Sequence, residues 1–381
     1  MIFGGIGTYA EQLVKGISEK GVDIHVITRG RNTCSDDKIS RIRIPDILYW
    51  RRLFFTQRAI SLFHKLNKIY NFDLIHLNGT YPITKHFGLP TVCTIHGPGN
   101  FSQMKMLLQL KKFKSVNDST FLFLKGPMGF LCDLNTTKVS DKIICPSPSL
   151  VEVSSRWDYI GGKEKFVVIP NGIDIKQFDG LDNLPASILA GYGIEKENFV
   201  LYMGRLSFLK GVDYLIEAFK KVQKSHPNLK LVIAGSGDFE PHLRKIARNM
   251  KNVIFLGFVD SIELKKLLYE NSLAVVLPSP VYETSPMVIL EAMSCSKPVI
   301  ATDIGGNPYM IRHGENGFLS KPRNSENLAN LIDVLCENET LRKKMGINSR
   351  KFVEKEFALD RMVSKTLEIY DSLQHTCMNY T

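Results

Sequence analysis

Two acidic residues, Glu283 and Glu291, stand with seven residues between them in the stretch YETSPMVILE. Well upstream, Arg205 and Lys210 stand in GRLSFLKG. An ionised carboxylate offers only acceptor oxygens and takes two hydroxyl hydrogen bonds, which suits a ribose or a hexose diol. Arginine engages two phosphate oxygens through its planar fork, whereas lysine supplies a compact point charge. Together the four suit a ligand with a diphosphate in the middle and a sugar at each end. Spacing alone does not select that ligand, because most glutamate pairs this far apart are one loop charge and one solvated helix residue.

The elements around these residues sharpen the reading. The apolar run 273–277 has the length of a buried strand in a parallel sheet, and Pro278-Ser279-Pro280 stops it. Ser285 followed by Pro286 reads as an N-cap and a first helical position, where the missing proline N–H costs nothing. Val288, Ile289, Ala292 and Met293 give the helix a core-facing stripe, and Val299 to Thr302 form the next buried strand. This strand–helix–strand unit aims a helix start at the carboxyl edge of a sheet, where such folds bind ligands. Free N–H groups and a partial positive charge make the start, Thr284 to Val288, suited to phosphate. Glu291 follows Pro286 by about five residues, roughly 7–8 Å. The run 199–205 reads as a buried strand ending at Gly204, and 229–234 as the next strand, with Gly235 at its edge.

The first half of the chain has a related plan. Gly4-Gly5-Ile6-Gly7 is a glycine-rich turn entering a helix, and residues 22–28 form a strand. Runs 72–77 and 91–96 are buried strands that each carry a histidine, His76 and His96, at or next to the carboxyl edge. Between Arg41 and Lys125 there are thirteen Lys or Arg against three acids, nearly all of the chain's formal charge of +11. Such a basic excess admits nucleic acid or an anionic membrane surface as partner. Residues 48–70 read as a basic amphipathic helix, whose ordinary role is core packing with a solvated face and whose functional role is docking on anionic lipid. The stretch 101–131 is again basic and apolar. Asn171-Gly172 is a strong turn signal closing the first half, and polar residues from 174 to about 197 read as a linker.

Length and composition bound the answer. A chain of 381 residues points to two domains, and 44% hydrophobic with 23% charged residues are those of a globular protein. Seven cysteines without regular spacing read as buried reduced thiols. No apolar run approaches the ~18 residues of a membrane span, and the N-terminus has no signal-peptide pattern. There is no Asp-x-Asp and no His/Cys cluster with metal-ligand spacing.

YETSPMVILEAMSCSKPVIATDIGGNPYMI resembles the Glu-x(7)-Glu signature of the retaining, nucleotide-sugar-dependent glycosyltransferases of family 4, also called glycosyl transferases group 1. The likeness spans nearly the whole chain, with the other motifs in order. It implies an α/β GT-B fold, two Rossmann-like domains with parallel sheets facing a central cleft. Residues 1–175 would bind the acceptor, with the C-terminal helix 360–375 packing back on them, and residues 176–359 the nucleotide sugar. By the resemblance, Glu283 contacts the donor sugar and Glu291 the ribose. Arg205 and Lys210 stabilise the departing nucleoside diphosphate, and His96 lies beside donor sugar and acceptor. Gly5 and Ile6 sit above the donor phosphates, Gly204 and Gly235 at the strand ends, and the segment carrying Phe258 and Val259 offers its backbone to the nucleobase. No cofactor or metal is implied, and no nucleic acid partner.

Two departures from the family pattern stand out. Thr284-Ser285-Pro286 replaces a glycine-containing run, so one backbone phosphate contact is lost at Pro286 and the Thr284 and Ser285 hydroxyls are its substitutes. Only three residues precede Gly4, so the first strand of the N-terminal sheet is expected to be missing. The expected activity is retaining sugar transfer to an acceptor hydroxyl on a glycan, polysaccharide or lipid-linked molecule, in the cytoplasm or peripherally on the inner membrane face. The alternatives are an NAD-dependent oxidoreductase, a sugar-nucleotide-binding protein inactivated by the lost strand, and a GT-B sugar-nucleotide epimerase or phosphorylase, against which the Glu spacing with Arg205 and Lys210 argues. Against the first, Val26-Ile27-Thr28-Arg29-Gly30 offers no acid for an NAD ribose.

Overall fold

Short apolar runs closed by glycine or proline become parallel strands covered on both faces, as their lack of polar alternation dictates. The structure, a computed structural model, describes the chain except residues 1–4, 31–33, 37, 44–50, 100–125, 158–162, 180–186 and 379–381. It divides into two units, one comprising Met1–Pro170 with Met362–Thr381 and the other Asn171–Arg361.

The first unit holds two separate sheets. β1 (Val26–Gly30) pairs in parallel with β3 (Ile39–Arg43), and β2 (Cys34–Asp36) runs antiparallel to β3. β4 (Ile75–Asn78), β5 (Thr91–Thr94), β6 (Lys142–Cys145) and β7 (Phe166–Val168) form a four-stranded parallel sheet in that order. The residues before α1 (Gly5–Glu19) lie outside the described ones, and so does the expected loss of a first strand; among the described residues β1 and β4 each pair on one side only. Both are half-buried over most of their length, whereas β5 is fully buried. The other helices are α2 (Arg51–Tyr70), α3 (Gly126–Val139) and α4 (Pro148–Trp157). Most of the basic, apolar stretch expected at 101–131 lies outside the described residues, and its last part opens α3.

The second unit carries the six-stranded parallel sheet β10-β9-β8-β11-β12-β13. Its strands are β8 (Phe199–Met203), β9 (Lys230–Ala234), β10 (Val253–Gly257), β11 (Ala274–Leu277), β12 (Val299–Thr302) and β13 (Gly317–Ser320). The helices are α5 (Ser187–Gly191), α6 (Val212–Ser225), α7 (Glu240–Ile246), α8 (Ile262–Asn271), α9 (Met287–Ser294), α10 (Asn307–Met310), α11 (Ser325–Glu337) and α12 (Glu339–Glu356). From β8 the chain proceeds to β9 and β10 on one side, then returns to lay β11, β12 and β13 on the other. The switch point therefore falls between β8 and β11, where open sheets of this kind leave a crevice at the carboxyl ends. Alternate residues of β8 feed two cores: Phe199, Leu201 and Met203 pack with α8 and α9, and Val200 and Tyr202 with α6 and α11.

The final helix, α13 (Leu359–Met378), ends in the first unit, where the Tyr370 hydroxyl meets His76 Nδ1 at 2.5 Å. No described helix is long and apolar enough to cross a membrane.

Candidate active site

At the switch point of the second unit, the segments leaving β8 and β11 bring distant residues together. Beyond β8, residues 208–210 form a 3-10 turn that delivers Lys210. Beyond β11, Ser279 is fully buried and Glu283 follows in the loop. Lys210 Nζ donates to Glu283 Oε1 at 2.6 Å, and Ser279 Oγ donates to the same oxygen at 2.5 Å. The Glu283 side chain is only 12% exposed and that of Lys210 34%, so the pair is shielded without being sealed from a ligand. With both donors on Oε1, Oε2 is the oxygen left to accept from a hydroxyl. Lysine has three donors, so Lys210 can bridge Glu283 and an anion at once.

Arg205 is exposed at the same edge, just past Gly204. Its carbonyl accepts from the Tyr202 hydroxyl at 2.9 Å. Burial drives the Tyr202 hydroxyl well above its ordinary pKa; the Glu283 charge adds to this and the Arg205 charge opposes it. Arg205 and Lys210 thus lie on the segment that leaves β8, and Lys210 meets Glu283 there.

Backbone packing holds Glu283 in place. The Gly306 N–H donates to the Glu283 carbonyl at 2.7 Å. Gly305 has φ +65°, and a Cβ there would lie 2.1 Å from the same carbonyl oxygen, so only glycine fits.

The helix start differs from expectation. α9 begins at Met287, with Pro286 at its cap in an extended conformation and Ser285 outside the helix. Ser285 is no N-cap. A residue before proline is pushed out of the helical region, and here the Ser285 carbonyl accepts from Asn171 Nδ2 at 3.0 Å while its Oγ lies 3.8 Å from Met310 Sδ. The buried Ser285 hydroxyl is therefore poorly suited to replace a phosphate contact. The Met287 side chain is buried in the core; with the Ile289 N–H donating to the Pro286 carbonyl at 3.0 Å, the N–H groups of Met287 and Val288 are those of the first turn without an intrahelical acceptor. Thr284 is half-buried in the preceding loop.

Glu291 is the fifth residue of α9, about 6 Å along the axis from Met287. Its Oε2 accepts from the Tyr269 hydroxyl at 2.6 Å. At the other strand ends, Gly235 is buried and donates its N–H to Gly257 at 2.7 Å; Phe258 is 55% exposed and Val259 is buried in the core. Ser279, Tyr269 and Gly306 are the functional neighbours that sequence reasoning did not single out.

The first unit has its own polar cluster. His96 Nε2 lies 2.5 Å from Asn78 Oδ1, and the Tyr9 ring stands edge-on to the His96 ring with centroids 4.7 Å apart. Tyr9 also bonds Thr94 at 3.1 Å, and Thr94 bonds His76 Nε2 at 2.7 Å. Burial lowers His96 to about 4, and burial with the neighbouring His96 lowers His76 to about 4. Both are neutral at physiological pH, so each is a hydrogen-bonding group and not a resident proton donor. Gly5 and Ile6 are exposed in the first turn of α1. Among the described residues, no group of three His, Cys, Asp or Glu side chains could hold a metal ion.

Comparison with known proteins follows this geometry. The family model for glycosyl transferases group 1 matches residues 188–352, and that for glycosyltransferase family 4 matches residues 3–177. An uncharacterized glycosyltransferase of Methanocaldococcus jannaschii is 28% identical, over 97% of this chain and 94% of the relative. N-acetyl-alpha-D-glucosaminyl L-malate synthase of Bacillus anthracis is 24% identical, over 96% and 93%. Among solved structures, sucrose-phosphate synthase from Thermosynechococcus elongatus has a TM-score of 0.76 at 23% identity, covering 98% of this chain and 94% of that one. Anabaena HepE, solved with UDP and glucose, has a TM-score of 0.74 at 19% identity, covering 97% and 96%.

Proposed function

The chain belongs to the family 4, group 1 glycosyltransferases of GT-B fold, and on that premise we propose that it moves a sugar, with retention, from a nucleotide-diphosphate sugar to an acceptor hydroxyl. The observation that carries this reading is the 2.6 Å pair of Lys210 and Glu283 at the sheet's switch point, with Arg205 exposed on the same segment leaving β8. Lys210 and Arg205 meet the diphosphate, the N–H groups of Met287 and Val288 add to them, and Glu283 Oε2 accepts from a hydroxyl of the transferred sugar. Glu291 takes the ribose diol. Thr284, Gly204 and Gly235 border the phosphates, and the backbone around Phe258 and Val259 faces the base. Anabaena HepE, of similar fold, binds UDP and glucose, which supports a nucleotide sugar as donor.

In the reaction the bond from the anomeric carbon to the diphosphate oxygen breaks while a bond to the acceptor oxygen forms on the same face. The acceptor's proton passes to the departing phosphate, so no protein nucleophile is assigned. Cations already aimed at the developing phosphate charge lower the barrier without reorganising. In this reading they take the part of a metal, and no cofactor is needed. His96, neutral, hydrogen-bonds a sugar hydroxyl, and Gly5 and Ile6 offer N–H groups of the α1 start. The acceptor is a glycan or lipid-linked molecule. The exposed basic residues of α2, with exposed Phe54 and Ile69, support docking on an anionic membrane surface. The NAD-dependent and inactivated-binding alternatives are not favoured.

The test is a screen of donor hydrolysis and transfer with UDP-, GDP- and ADP-sugars, with and without EDTA. The reading expects turnover of one nucleotide series, insensitive to EDTA and lowered at least a hundredfold by Arg205→Ala or Glu283→Ala. Full activity of both variants would refute the site. Loss of activity with EDTA, restored by a divalent ion, would refute metal independence.

A further inference from the structure

Glu291 sits on α9 with its carboxylate half-buried, and what holds that carboxylate comes from another helix. Tyr269, near the end of α8, has no exposed surface, and its ring lies in the core that also takes Ile289 and Leu290 of α9. The end of α8 is pinned: Ser272 Oγ donates to the Tyr269 carbonyl at 2.8 Å, and Asn271 Nδ2 to that of Leu267 at 2.8 Å. The fully buried ring is packed in that core, and its hydroxyl reaches Glu291 Oε2 at 2.6 Å.

We propose that Tyr269 is the positioning residue for Glu291, fixing its carboxylate in the orientation that reads the ribose 2′- and 3′-hydroxyls and so sets the preference for ribonucleotides. This rests on the assignment of Glu291 to the ribose made above. A carboxylate has about four lone-pair sites, and Tyr269 occupies one, which leaves enough for a diol. A glutamate free to rotate loses its rotamer freedom on binding, a cost of up to about tenfold in affinity; a fixed one has already lost it. Burial and the facing Glu291 charge raise the phenol far above its ordinary range, so Tyr269 remains a donor at any working pH.

The test is calorimetric binding of UDP, GDP and ADP and of their 2′-deoxy counterparts to wild type, Tyr269→Phe, Glu291→Ala and the double variant, with folding checked by thermal unfolding. Phenylalanine keeps the ring and removes one atom. Wild type is expected to prefer the ribonucleotide it binds by about tenfold or more. Y269F should cut that preference to two- or threefold through weaker ribonucleotide binding, with deoxynucleotide affinity within twofold of wild type. In the E291A background Y269F should change the ratio no further, whereas a packing effect would persist there. If E291A abolishes the preference and Y269F retains it, the inference fails and the role of Glu291 stands. If E291A itself retains the preference, the ribose assignment fails and this inference falls with it.

Discussion

Replacing Lys210 by methionine removes a charge and keeps most of the side chain's volume. Glu283 is then left 12% exposed with Ser279 as its remaining side-chain donor. Removing one partner of a buried ion pair costs about 3–5 kcal/mol. Lys210 is a third exposed, so solvent screening reduces this to about 1.5–3 kcal/mol. For a unit spanning Asn171–Arg361 each kcal/mol moves Tm by about 2–4 °C, which gives a fall of roughly 3–12 °C. Thermal unfolding of K210M, E283Q and the double variant separates pairing from packing. In the double variant no bare carboxylate remains, so it should melt above K210M, with a coupling of at least about 1 kcal/mol. If the two penalties simply add, the pair is not the structural unit described here.

Other consequences follow from the same contacts. Gly305→Ala forces a Cβ against the Glu283 carbonyl at a left-handed backbone position, so a loss of about 2 kcal/mol or more and a donor KM raised about tenfold are expected; unchanged values would mean that the turn does not hold Glu283. His76 and His96 are held at about 4 by burial, below the ordinary 6.5, so the unfolded chain takes up protons that the folded one refuses. Stability of the first unit should therefore fall by a few kcal/mol as pH drops from about 6.5 to about 4 and level off below, with His76→Gln flattening the urea-midpoint profile. Tyr370→Phe removes the bond from α13 to His76 and should cost about 1 kcal/mol, read as faster amide exchange along α13.

Much of the second unit was legible before any coordinates. β12 occupies the expected residues, and β8, β9 and β11 lie within theirs, because buried parallel strands need unbroken apolar runs and their ends need glycine or proline. The meeting of Lys210 with Glu283, 73 positions apart, was legible only through the motif order. Tyr269 and Ser279 left no such mark: a tyrosine in an amphipathic helix and a serine between prolines look like core and turn, and only the fold aims their hydroxyls at Glu291 and Glu283. Ser285 was misread because serine before proline is also a helix-start pattern, and the contact that decides its role comes from Asn171, 114 positions away. In the first unit the strands were expected to start four and three residues early, at Val22 and Phe72. Polar and apolar residues mix there, so a period cannot locate the edge.

The proposed transfer requires a pyrophosphate to be gripped at the crevice between β8 and β11. Titration calorimetry of the wild-type chain and of Arg205→Ala with UDP, GDP, ADP and NAD tests that grip directly. The expected result is micromolar binding of one nucleoside diphosphate, weakened at least tenfold in R205A, and no binding of NAD. Binding of NAD alone, or equal affinity of both proteins for the diphosphate, would contradict it.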